Sequence, residues 1–165
     1  MLSRSIGDNA RRELYGRELR HQCPHAAQQG RPPLYAGRAF RPDIVIIKLG
    51  TNDTKPHNWK YGKEFRKDLS ALIDSFRCEG NPRIYLCYPA TVYGTKWGIN
   101  DSTIVHGVIP AIKKTARRKK VKIIDLHTPT SGMPENFPDR VHPNANGARI
   151  LAQTVYQAIT SEKKR

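Results

Sequence analysis

The chain has 165 residues, 38% of them hydrophobic and 26% charged, with a net charge of +15. That is the size of one ordinary domain, able to bury about two thirds of the surface its unfolded form exposes. No run of about 18 apolar residues could span a bilayer, and the N-terminus lacks the basic, apolar and small-residue order of a signal peptide, so the chain reads as soluble with its compartment left open.

Residues 1–40 stand apart. They carry seven arginines and no lysine, against thirteen lysines in the remainder. They hold no four-residue apolar run, and Gly30-Arg31-Pro32-Pro33 reads as loop. An irregular segment outside the main domain is expected there. From residue 41 onward strand alternates with helix. Residues 43–49 are a β-branched run ending at Gly50 and read as a strand buried on both faces. A helix over 63–77 places Phe65, Leu69, Leu72, Ile73 and Phe76 at helical spacing, with Gly80, Asn81 and Pro82 as its stop. A second strand, 83–88, closes at Pro89. A second helix, 102–120, has Asp101 and Ser102 as its cap, and Pro110 inside it predicts a kink or break. Residues 121–126 form a third strand. A closing helix over 146–159 turns Ile150, Leu151, Thr154, Val155 and Ala158 inward, and 161–165 is a basic tail. This order predicts an α/β fold with a parallel sheet between helical layers, the domain occupying 41–160.

The charge concentrates at Lys113, Lys114, Arg117, Arg118, Lys119, Lys120 and Lys122, the end of the second helix, where cations complement exposed carbonyls. Neither an aromatic-rich RNA-recognition strand nor a helix-turn-helix pattern accompanies it, so no nucleic-acid partner and no membrane partner is expected. Cys23, Cys78 and Cys87 lack CxxC or zinc spacing, and His21, His25, His57, His106, His127 and His142 lack an HExxH pattern; no metal and no cofactor is assigned.

Two constellations carry chemistry, both beyond the carboxyl ends of strands, where parallel α/β sheets bind ligands. Gly50-Thr51-Asn52-Asp53 follows the first strand: the glycine allows a tight exit, and the Asn52 amide can offer donors to a developing negative charge. Asp139-Arg140-Val141-His142-Pro143 precedes the last helix. Side chains at i and i+3 share one side of a turn, so the Asp139 carboxylate can hold one imidazole nitrogen of His142 while the other faces the site. Asp53, Asp125 and His127 read as groups satisfying turns and strand ends.

Together these two motifs resemble the third and fifth sequence blocks of the SGNH/GDSL hydrolase superfamily, over roughly residues 41–160. Finer detail in 48–56, 89–100 and 131–139 resembles the branch of sialate O-acetylesterases and related carbohydrate deacetylases. The resemblance implies a flavodoxin-like three-layer α/β/α sandwich and a serine ester hydrolase acting on O-acylated carbohydrates without a cofactor. It implies His142 as base, Asp139 as its orienter and Asn52 as oxyanion donor, with Gly50 and Asp53 in support.

The same resemblance calls for a serine in a Gly-Asp-Ser turn after a first strand, and that part is not recognisable. Gly7-Asp8-Asn9 mimics it only superficially, since asparagine cannot become an alkoxide, and Ser3 and Ser5 lack a supporting strand. Back-translated and read one nucleotide later, Gly30-Arg31-Pro32-Pro33-Leu34-Tyr35 permits Gly-Asp-Arg-Pro-Tyr, and Gly16-Arg17-Glu18-Leu19-Arg20-His21 permits Gly-Val-Ser-x-Ala-Thr. Both resemble the family ahead of its third block. The expectation is a truncated or frameshifted N-terminus, first strand or strands missing, and impaired activity. Two rivals stand beside it: a catalytically dead glycan binder using Trp59, Tyr93 and Trp97, and a basic nucleic-acid binder whose affinity would fall steeply with salt.

Overall fold

The structure is a computed structural model that describes residues 41–78 and 80–161. The irregular segment expected at 1–40, with Ser3, Ser5, Gly7-Asp8-Asn9 and Cys23, lies outside the described residues, as do residues 162–165 of the tail.

Strands β1 (Ile44–Ile47), β2 (Arg83–Cys87) and β3 (Lys122–Ile124) form one parallel sheet in the order β1-β2-β3. Ile44 lies opposite Arg83 and Ile47 opposite Leu86, while Tyr85 faces Lys122 and Cys87 faces Ile124. Because successive strand residues point to opposite faces, two cores form. On one face Val45, Ile47, Ile84 and Leu86 meet helices α1 (Gly62–Arg77) and α2 (Ile109–Lys119) through Phe65, Leu69, Ile73, Ala111, Ile112 and Ala116. On the other, Tyr85, Cys87 and Ile124 meet Phe137 and helix α3 (Ala145–Thr160) through Leu151 and Val155. Each fully buried aliphatic chain, such as Ile73 or Ile112, contributes about 1.5–3 kcal/mol. The expected parallel sheet between helical layers is therefore what forms.

Local differences have physical causes. The first strand is shorter than 43–49 and is not buried on both faces: Ile46 is 41% and Leu49 45% exposed. Cover on the α3 side reaches Ile44 and stops short of Ile46. The second helix is capped by Asn100, whose Oδ1 accepts the Thr103 N–H at 2.8 Å, rather than by Asp101 or Ser102. A short helix (Asp101–Thr103) then passes into a π-turn (Ile104–Val108) before α2, with the Ile109 N–H donating to the Ile104 carbonyl. Pro110 sits in the first turn of α2. It brings no N–H, and the widened turn just upstream is where the helix absorbs that loss.

The helix ends are tied across the layer. Lys120 closes α2 in the left-handed conformation (φ 51°). The Arg77 guanidinium of α1 donates to the Lys119 carbonyl at 2.9 Å, and the Lys119 ammonium bonds Asp74 at 2.6 Å. Among the described residues, no helix is long and apolar enough to cross a membrane.

Candidate active site

The dyad loop comes first because its geometry is local. Asp139 Oδ2 lies 2.6 Å from His142 Nδ1, and Asp139 Oδ1 accepts the backbone N–H groups of Val141 at 2.9 Å and His142 at 2.6 Å. With three donors on one carboxylate, the bond from the His142 ring foremost, the Asp139 carboxyl is held well below the usual carboxylate range. The turn that allows this places Arg140 at φ 71°, in the left-handed region. Such a non-glycine residue persists only where its surroundings determine it. Here the Arg140 N–H donates to the Phe137 carbonyl at 2.8 Å, and its carbonyl accepts the Tyr93 N–H at 2.8 Å. Val141 next to it is buried, whereas the His142 side chain is 70% exposed. With Nδ1 committed to Asp139, Nε2 is the nitrogen left to take or give a proton, and among the described residues it meets no hydrogen-bond partner.

The Asn52 turn is held differently. Gly50 leaves β1 at φ 121°, and a Cβ there would sit 2.4 Å from Val108 Cγ1 and 3.2 Å from Pro89 Cγ. Only glycine fits so close an approach. Asn52 opens a 3-10 turn (Asn52–Thr54) with Asp53 in it. The Asn52 carbonyl accepts Asn58 Nδ2 at 2.9 Å, and its own side chain is exposed and uncommitted, able to present an amide N–H to an oxyanion.

The stretch after β2 touches both turns. The Asn100 N–H lies 3.4 Å from Thr54 Oγ1, and a Cβ on Gly98 would stand 2.7 Å from Pro56 Cδ, so this stretch rests on the Asn52 side. Its other part rests on the dyad side: the Tyr93 N–H reaches the Arg140 carbonyl, and the Trp97 ring lies 5.7 Å from the His142 ring, tilted by 60°. Both motifs thus flank one segment at the carboxyl end of the sheet.

Two contacts here escape a sequence reading. Asp101, expected as part of a cap, accepts the Val92 N–H at its Oδ1 (3.1 Å) and holds both oxygens 3.1 and 3.2 Å from His127 Nε2. That pins the loop after β2 to the loop after β3, and no local pattern signals a pairing twenty-six positions apart. Asp125 closes its own turn through the His127 and Thr128 N–H groups and the Thr128 hydroxyl. The three aromatics also separate. Trp59 wedges against Gly62 and Gly107, with Phe65 at 6.1 Å. Tyr93 packs on Phe137 at 5.3 Å, donates its hydroxyl proton to the Thr130 carbonyl and accepts the Met133 N–H. Both are packing anchors, while Trp97 remains 53% exposed.

Other nucleophiles are poorly placed. Burial pushes the Cys87 thiol up to about 11 in spite of the Lys48 charge, which leaves it unreactive. Among the described residues no serine hydroxyl bonds His142; Ser70, Ser75 and Ser161 turn back onto their own helices. Nor does any group of three or more His, Cys, Asp or Glu gather there as a metal site.

A parallel sheet between helical layers, with a carboxylate–imidazole pair in the loop before its last helix, defines a layered α/β domain, and solved structures share the fold. A carbohydrate acetylesterase from Sinorhizobium meliloti superposes with a TM-score of 0.66 at 19% identity, covering 78% of this chain and 65% of that one. An acetyl xylan esterase, AlAXEase, does so with a TM-score of 0.60 at 22% identity, covering 73% and 69%. The chain belongs to the GDSL-like lipase/acylhydrolase family, whose sequence pattern matches residues 7–150. The matched span opens at Gly7-Asp8-Asn9 and so includes most of the first segment. An acetylxylan esterase from Xylanibacter ruminicola is 37% identical over 140 residues, covering 73% of this chain. The chain spans 29% of that relative's length.

Proposed function

We propose that residues 41–160 form an ester hydrolase unit that removes O-acetyl groups from carbohydrates. In this mechanism His142 Nε2 takes a proton from the attacking nucleophile, a water molecule where no serine hydroxyl is supplied, and returns it to the leaving sugar alcohol. Asp139 fixes the tautomer and steadies the imidazolium, and Asn52 donates to the tetrahedral oxyanion, a donor of that kind being worth about 3 kcal/mol. Gly50 and Asp53 serve the turn that carries Asn52. The observation that supports this most is the Asp139–His142 hydrogen bond, which leaves Nε2 as the working nitrogen beside the segment that also touches the Asn52 turn. The acetylxylan esterase relative favours acetylated xylan over a sialate as the class of substrate.

The chain holds Gly7-Asp8-Asn9 and no Gly-Asp-Ser turn, so turnover is proposed to be slow. Loss of a triad nucleophile lowers turnover by a factor of roughly 10⁶ and leaves about 10³–10⁴ over water. The test is hydrolysis of p-nitrophenyl acetate by the full chain and by His142→Ala, with a fluorophosphonate probe for serine labelling. The expected outcome is a small rate that His142→Ala lowers further, and no labelled serine. Turnover indifferent to His142→Ala would overturn the role of the dyad. Robust turnover with Ser3 or Ser5 labelled would instead place a nucleophile in the first segment. The exposed Trp97 favours a second reading, a glycan-binding remnant without catalysis, which the same assay separates by showing no His142-dependent rate.

A further inference from the structure

We propose that Trp97 is the sugar platform of this site: a pyranose ring stacks on the exposed face of its indole while the ester on that ring reaches His142 Nε2. The proposal rests on the carbohydrate-ester reading above and adds the residue that distinguishes a sugar ester from any other acetate.

Three observations carry it. Trp97 is the largest side chain type, yet it stands 53% exposed, with its ring 5.7 Å from that of His142. Leaving so much aromatic surface in water is unfavourable unless something covers it. Its backbone is at φ 56° and ψ 20°, a left-handed conformation rarely adopted by a bulky residue. That conformation is held from the C-terminal side: Gly98 is pressed on Pro56, Ile99 is buried, and the Asn100 N–H is tied to Thr54. The indole thus stands out beside the dyad on a backbone tied down just after it. Such strain is retained where a side chain must be aimed.

The chemistry selects the ligand. An indole face is electron-rich, and the axial C–H groups of a pyranose present a flat, weakly positive surface to it. The span from indole to imidazole is comparable to the breadth of one such ring, so a sugar on Trp97 holds its own acetyl group at His142. Lys96 lies over the indole at 4.5 Å, but a cation–π contact at an exposed site is weak enough to give way to a ring that covers the face.

The experiment is calorimetric titration of the full chain with acetylated xylo-oligosaccharides, comparing the unaltered protein, Trp97→Ala, Trp97→Phe and His142→Ala, together with p-nitrophenyl acetate turnover of each. The expected result is sugar affinity about tenfold lower in Trp97→Ala, retained within about threefold in Trp97→Phe, which keeps a flat face, and unchanged in His142→Ala. In Trp97→Ala the loss should be larger in sugar affinity than in aryl acetate turnover, which needs no sugar. Equal sugar affinity in Trp97→Ala, or no sugar binding by the unaltered chain, would overturn the platform. So would a fall in aryl acetate turnover in Trp97→Ala as large as the fall in sugar affinity, which would show the indole merely holding His142. Loss of the His142-dependent rate would count against the hydrolase reading, not against stacking on Trp97.

Discussion

The two loops that frame the site are held by opposite means. The Asp139–His142 turn is built mainly from its own backbone, with one outside tie from the Tyr93 N–H: one carboxylate gathers two N–H groups and a ring nitrogen within four residues. The Asn52 turn has little of its own and is placed by others, with Val108 and Pro89 closing on Gly50 and Asn58 reaching the Asn52 carbonyl. A self-contained loop tolerates change in the surrounding core, whereas a borrowed position fails when any lender moves.

The largest expected effect breaks the self-contained loop. Asp139→Asn removes the anion that steadies the imidazolium, so the small His142-dependent rate should fall to the level of His142→Ala. The same variant reports on pH. Since the Asp139 carboxyl titrates lower when folded than its unfolded value of about 3.9, its contribution to stability is complete above that value and is lost as pH falls toward the folded one. Urea midpoints at pH 5 and pH 3 should therefore drop further in the unaltered chain than in Asp139→Asn, and equal drops would deny the carboxylate this role.

Next in size is Gly50→Val, which drives a side chain into Val108 and forces a β-branched residue to φ 121°. Overlap and backbone strain together should cost roughly 2–5 kcal/mol, read as a lower urea midpoint. An unchanged midpoint would mean that the exit from β1 is not packed as described. The smallest effect is Asn58→Ala. It deletes one bond to the Asn52 carbonyl and leaves a small gap where Asn58 is 8% exposed, for about 1–2 kcal/mol. If the borrowed placement is real, this variant should also lower the His142-dependent rate while leaving the pH response of the Asp139 turn intact.

The contrast also explains what could be read from the sequence. Asp139 and His142 are three apart, and the spacing alone puts them on one side of a turn. Phe65, Leu69 and Ile73 announce their buried face by periodicity, and the glycine after β1 marks its own tight exit. What the chain order hides is who covers whom. Ile46 belongs to the same apolar run as Val45 and Ile47, and its exposure follows from how far the α3-side cover extends. Asp101 looks like a helix cap and instead serves His127, because Asn100 already caps the turn. Trp59, Tyr93 and Trp97 are alike as letters; two become anchors and one stays at the surface only because Gly62, Gly107, Phe137 and Thr130 wait for the first two.

Every pairing in the sheet joins strands separated by a complete helix, so neither Ile44 nor Tyr85 can find its partner until a long crossover has closed. Local contacts form fast and such closures slowly. During that interval α1 and α2 can already exist as helices while Val45, Ile46, Ile47 and Leu49 lie side by side with nothing over them. A short β-branched run in that condition associates readily with its like. The yield of native protein on refolding is therefore a race between crossover closure within one chain and strand pairing between two, and it is run at β1.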